Sequence, residues 1–170
     1  KLIEQNLDTL KSLLPGLKDI KRIDFKGGEP MMAKHHIEFL KYLIEKGFHK
    51  NITLQYTTNG TIVNKIILQE LNKFKNVRIM FSIEATGKLY QYIRGGKFNI
   101  DNFQKTVKLY DQLDNVLLGF NVTMQTYNVY NLHKLYNFLN NLNLKNGSAK
   151  EAFNTICNEP NYLSPLNIPY

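Results

Sequence analysis

The sequence predicts an α/β fold: a parallel sheet with helices packed on its outer side. Three observations predict it. Short apolar runs alternate with amphipathic stretches along almost the whole chain, the pattern of strands and helices taken in turn. The breaks between them are short and carry glycine, proline or asparagine, as at Pro15-Gly16, Gly27-Gly28, Gly47, Asn59-Gly60 and Asn146-Gly147. Finally, 170 residues at 43% hydrophobic and 21% charged suit one domain with its own core.

Residues 2–14 place Leu2, Ile3, Leu7, Leu10, Leu13 and Leu14 at helical spacing. Residues 22–26 form a short strand, and Gly27-Gly28-Glu29-Pro30 turns after it. Residues 34–46 carry Ile37, Leu40, Tyr42, Leu43 and Ile44 on a helix closed by Gly47. A strand follows over 52–58, then the Asn59-Gly60 turn and a helix over 62–74. Residues 77–83 are continuously apolar enough to predict a strand buried on both faces. A helix over 100–113 can be capped by Asn99 or Asp101. A strand over 116–124 and a helix over 129–142 come next. Asn146-Gly147 breaks the chain, 152–157 is the last strand, and 158–170, with three prolines, is irregular.

Formal net charge is +8, from 22 Lys+Arg against 14 Asp+Glu. The excess is mostly scattered lysine; the arginines are Arg22, Arg78 and Arg94. Readers of nucleic acid lean on arginine for bidentate contacts, so a diffusely basic, solvated surface explains the charge better. A basic nucleic-acid interaction domain stays open as an alternative. No apolar stretch approaches the ~20 residues that span a membrane. No charged-then-apolar leader opens the sequence, and the single cysteine, Cys157, cannot form an internal disulfide. A cytoplasmic protein without a membrane partner is expected. His35 and His36 diverge by about 100° on a helix, too far to share a metal, and are expected at the surface.

Parallel α/β sheets place ligands at the carboxyl ends of their strands. After the first strand, Gly27 and Gly28 expose backbone beside Glu29. That is either a tight turn with a solvated carboxylate or an acceptor-rich site for an ammonium group. After the second come Thr57, Thr58, Asn59 and Thr61, helix-capping residues or ligand donors. Ser82 and Glu84 end the third strand on one side of the chain and need partners, a sugar's hydroxyls or each other. Arg94, followed by two glycines, suits a carboxylate or a surface ion pair. Asn121, Thr123 and Gln125 share one face, directed into a barrel or out to solvent from an edge strand.

Taken together, these residues resemble the radical S-adenosylmethionine (SAM) enzymes. Gly27-Gly28-Glu29-Pro30 matches the family's GGE motif, Thr58-Asn59-Gly60 its TNG turn, and Ser82-Ile83-Glu84 its segment near the SAM ribose. The stretch FSIEATGKLYQYIRGGKFNIDNFQKTVKLY and the closing CNEPNYLSPLNIPY are similar to twitch-domain members of the family. The resemblance implies a partial (β/α)6 radical-SAM-type barrel with parallel strands and outer helices. Residues 1–158 would form the core barrel without its first strand and cluster loop, and 159–170 the start of a C-terminal extension. It further implies that Gly27, Gly28 and Glu29 meet the SAM amino group and that Arg94 meets its carboxylate. Ser82, Glu84 and Asn121 would hold the ribose, with Thr58 and Asn59 part of the same cofactor site.

The family's cofactors are SAM and a 4Fe-4S cluster held by a C-x-x-x-C-x-x-C loop, because such irons take thiolates. One cysteine cannot supply that loop, so no metal ligand is assigned here. The chain opens on Lys1 in mid-pattern and is expected to be truncated and inactive alone. In an intact protein the resemblance implies one-electron reduction, a 5′-deoxyadenosyl radical and hydrogen abstraction. The substrate would be a small molecule, a peptide or a nucleic-acid derivative, and the partner a one-electron reductant. A SAM- or nucleotide-binding module without radical chemistry is the second alternative.

Overall fold

The computed structural model describes residues 7–13, 16, 19–33, 35–96 and 98–168. Its helices are α1 (Leu7–Leu13), α2 (His36–Glu45), α3 (Lys65–Leu71), α4 (Gly87–Arg94), α5 (Ile100–Tyr110) and α6 (Leu132–Asn141). Its strands are β1 (Arg22–Phe25), β2 (Thr53–Thr58), β3 (Asn76–Ser82), β4 (Val116–Met124) and β5 (Gly147–Ile156). The first predicted helix is described only from Leu7 to Leu13; its remaining positions lie outside the described residues.

All five strands are parallel and stand side by side in chain order. Each crossover therefore advances the chain one strand in the same direction, which the right-handed βαβ rule favours. Alternation sorts the side chains. Leu54, Tyr56, Val77, Ile79, Phe81, Leu118, Phe120 and Val122 are buried against the helices. Phe39, Leu40 and Leu43 of α2 and Phe103 and Val107 of α5 meet them there. Asn99, of the two candidate caps, starts α5: its Oδ1 accepts from the Asp101 and Asn102 amides.

The other sheet face corrects an expectation. β3 is not buried on both sides: Val77, Ile79 and Phe81 are buried, while Arg78 is exposed and Met80 and Ser82 are half-buried. Their side of the sheet lines a cavity rather than a second helical layer. Two further corrections concern boundaries. Gly147 begins β5 instead of breaking the chain, because it lies against Leu118; a Cβ there would stand 2.5 Å from the Leu118 carbonyl oxygen. Helix α4 was not foreseen, although Leu89, Tyr90 and Ile93 give it an inward stripe.

His36, expected at the surface, is fully buried. On α2 the buried positions are His36, Phe39, Leu40 and Leu43, the i, i+3, i+4, i+7 stripe that faces a core. Its ring stands edge-on to Phe25, with centroids 4.8 Å apart, and its Nε2 lies 3.0 Å from the Tyr56 hydroxyl. Burial holds the imidazole neutral and pulls its pKa down to about 4. Between about 6.5, the unfolded value, and about 4, the unfolded chain binds more protons than the folded one. Stability present in full above about pH 6.5 is thus lost as the pH falls, by on the order of 3 kcal/mol. Urea unfolding from pH 7.5 to 4.5 is expected to show His36→Gln with a shallower loss than the wild type. Parallel losses would contradict the assignment.

Candidate functional site

Beyond β1, Gly27 and Gly28 take φ values of 86° and 58°, a left-handed pair that glycine adopts without strain. This turn carries Glu29 across to the end of β2. The Glu29 carboxylate accepts from the Thr58 hydroxyl at 2.7 Å, the Met31 amide at 3.3 Å and the Asn59 amide at 2.9 Å. Two bonds fall on Oε1 and one on Oε2. Thr58 Oγ1 in turn accepts from the Gly60 amide at 3.1 Å. Gly60 has φ 69°, and a Cβ there would lie 2.9 Å from the Phe103 ring. The GGE and TNG turns therefore form one unit, with a seated carboxylate between them. Since a carboxylate offers about four lone-pair sites, Glu29 keeps about one, on Oε2. Among the described residues nothing stands within 4 Å of a Cβ built on Gly27 or Gly28, so among them this backbone faces open space.

A second group closes the third strand. Glu84 Oε2 accepts from Arg94 Nε at 2.5 Å and Oε1 from Arg94 Nη2 at 2.6 Å, a bidentate pair. Burial pushes the Glu84 carboxyl up, and the Arg94 guanidinium, which pulls it down, offsets this only in part. Asn128 is fully buried and braces the same corner. Its Nδ2 donates to the Glu84 and Thr123 carbonyls at 2.8 and 2.9 Å, and its Oδ1 accepts from the Gln125 amide.

Ser82 and Asn121 are in register on β3 and β4. Both line a cavity of about 700 Å³ on the open sheet face, together with Lys26, Gln55, Thr57, Arg78, Met80 and Thr123 and the bulged stretch of β5 around Lys150 and Glu151. Lys26, which lines the cavity, directly precedes the GGE turn at the carboxyl end of β1.

The structure brings Glu29, Thr58 and Asn59 together, and Ser82 and Asn121 together. Glu84 and Arg94 are assembled as partners of each other. Of the face predicted beyond the fourth strand, Asn121 and Thr123 line the cavity, while Gln125 is buried past the strand's end. Sequence reasoning missed Asn128, whose one signal was an amide residue in the loop after that strand. It also missed the inward run Gln55, Arg78 and Met80, which strict alternation on β2 and β3 could have revealed.

A parallel sheet with its polar groups gathered at the carboxyl ends of the strands defines the α/β class of fold, in which ligands generally bind at those ends. Comparison with known proteins makes the class specific. The family model described as the Radical SAM superfamily matches residues 2–139, and the chain belongs to that superfamily. SuiB of Streptococcus suis bound to S-adenosylmethionine is similar in structure, with TM-score 0.64 and 17% identity over 91% of this chain and 35% of that one. Native anSMEcpe with bound AdoMet gives TM-score 0.66 and 17% identity, over 91% of this chain and 44% of that one. TYW1 with a lysine-pyruvate adduct bound gives TM-score 0.52 and 14% identity, over 80% of this chain and 47% of that one. At such identities the likeness is one of fold, and the chain spans less than half the length of each of these proteins. No curated protein matches the chain.

Among the described residues, no three His, Cys, Asp or Glu side chains are grouped to hold a metal ion. No helix among them is long and apolar enough to cross a membrane.

Proposed function

We propose that this chain is the SAM-binding core of a radical SAM enzyme. The observation that carries the proposal is the Glu29 carboxylate, held at the carboxyl ends of β1 and β2 by Thr58 and Asn59 with about one acceptor site left. An α-amino group is the cation that suits such a site, and the open backbone at Gly27 and Gly28 adds carbonyl acceptors. Arg94 spends Nε and Nη2 on Glu84; its Nη1 remains to meet the cofactor's carboxylate. Ser82 and Asn121 offer a hydroxyl and an amide to the ribose, while Glu84, tied to Arg94, serves the site as its anchor.

S-adenosylmethionine bound beside a reduced 4Fe-4S cluster supplies hydrogen-abstraction chemistry. The described residues do not fit the cluster itself: they hold one thiol, Cys157, and no step through a cluster is assigned to them. In this proposal its ligands come from outside this chain, as does a one-electron reductant, and the cytoplasm is the compartment that keeps such a protein reduced. A peptide is the favoured substrate class, because SuiB is similar in fold and has been seen bound to its precursor peptide SuiA. Twitch-domain membership rests on the sequence stretch from Phe81 to Tyr110 and on the closing residues.

Equilibrium dialysis tests the cofactor site. SAM is expected to bind one site per chain, and excess ATP is expected not to displace it. Equal displacement by ATP would favour a general nucleotide-binding module. Ser82→Ala combined with Asn121→Ala is expected to cost SAM affinity about five- to thirty-fold, as two lost neutral hydrogen bonds do. An unchanged dissociation constant would remove both residues from the site.

A further inference from the structure

The sheet face that carries no helical layer is polar and basic. In a filled (β/α)8 barrel the inward side chains are bulky, branched and apolar. Here β2 turns Gln55 and Thr57 to the cavity, and β3 turns Arg78, Met80 and Ser82 to it. Three cations line the cavity, Lys26, Arg78 and Lys150, against one carboxylate, Glu151. Among the described residues none of those three cations has a carboxylate partner, whereas Arg22, Lys46, Lys73, Arg94 and Lys145 each have one.

Register fixes the depth. Arg78 is level with Gln55 and Leu117, Met80 with Thr57 and Gly119, and Ser82 with Asn121. Four residues of parallel strand put Arg78 roughly 13 Å below Ser82. Between them Met80, beside Thr57, covers Gly119; a Cβ on that glycine would lie 2.8 Å from the Met80 sulfur. From rim to base the cavity thus passes Ser82 and Asn121, then Met80 and Thr57 with Lys26 and Lys150 near their level, and ends at Arg78.

We infer that the cavity takes a substrate carrying a carboxylate or phosphate group, anchored by the Arg78 guanidinium at the end away from the reacting centre. A guanidinium fork binds either anion bidentately. Lys26 and Lys150 add point charge that draws the anion in. Only the choice of the rim as the reacting end rests on the radical SAM proposal; the anion site does not need it.

Methyl-13C methionine labelling gives a direct probe, since Met80 lies in the cavity and Met32 is 67% exposed outside its lining. The labelled chain is titrated with glutarate, with its neutral isostere glutaramide, and with inorganic phosphate, and SAM binding is measured in parallel. Expected is a saturable Met80 shift with glutarate or phosphate, at least tenfold weaker with glutaramide, and no shift at Met32. The tighter of the two anions assigns carboxylate or phosphate. Arg78→Gln is expected to weaken the anion at least tenfold and to leave SAM affinity unchanged. Equal responses to glutarate and glutaramide, or an Arg78→Gln variant that binds as the wild type does, would overturn the inference. Loss of SAM binding with the glutarate response retained would instead remove the radical SAM proposal and leave the anion site standing.

Discussion

Glu29→Gln is expected to weaken SAM binding by about ten- to a hundredfold. Two losses combine. The charge that would meet an ammonium goes, and a charge-assisted hydrogen bond is worth about 1.5–3 kcal/mol. The side-chain amide also cannot copy the existing seat. Glu29 accepts from Met31, Thr58 and Asn59, whereas glutamine has a single acceptor oxygen and turns an NH2 group toward one of those donors. Thr58→Val separates the two effects, because it keeps the charge and removes the hydroxyl that both supports Glu29 and receives Gly60. It is expected to lose affinity about three- to tenfold, the worth of one ordinary hydrogen bond. Calorimetric titration of both variants checks the order. Thr58→Val weaker than Glu29→Gln would show that the seat, and not the charge, dominates.

Breaking the Glu84–Arg94 pair is expected to be the costliest single change to stability near the site. The two side chains are only 9% and 19% exposed, and stranding one member of a buried pair costs about 3–5 kcal/mol. The halves are not equivalent. Glu84→Gln leaves a guanidinium that cannot discharge. Arg94→Met leaves a carboxyl whose pKa burial already raises, and it can take a proton. With the guanidinium gone, the folded-state pKa of Glu84 rises further above its unfolded value. The folded variant then binds more protons than the unfolded chain, so its stability falls as the pH rises through that window. Arg94→Met is therefore expected to approach wild-type stability near pH 4.5 and to fall furthest behind near pH 7.5. The double variant Glu84→Gln, Arg94→Met is expected to recover part of either loss. Urea melts at both pH values measure this; a loss that does not change with pH would refute the pairing.

Much of the fold could be read from the sequence because each crossover is local. β4 falls on residues 116–124 as expected, since its apolar run is bounded by turn residues on both sides. The beginning of β5 could not be read, because Gly147 looks like a breaker until Leu118 is placed beside it. α4 was obscured by the glycines around it. In the site, the residue types were visible and the pairings were not. Glu29 and Thr58 lie 29 residues apart, and nothing in either turn says that one seats the other. Glu84 and Arg94 each suggested a separate ligand group, because alternation shows which way a strand residue points and not what occupies that side. His36 failed for a similar reason: the sequence did not show that it faced the core, which depended on Phe25 of β1 and Tyr56 of β2.

The central claim is that Glu29 receives the amino group of SAM. The most direct test follows the Asn59 amide, which donates to Glu29 Oε2 at 2.9 Å, by nitrogen–proton NMR during titration with SAM and with an analogue lacking the α-amino group. Expected is a saturable shift of the Asn59 signal with SAM, and at least tenfold weaker binding of the analogue. Equal affinity for the two compounds, with Asn59 unmoved by either, would contradict the claim.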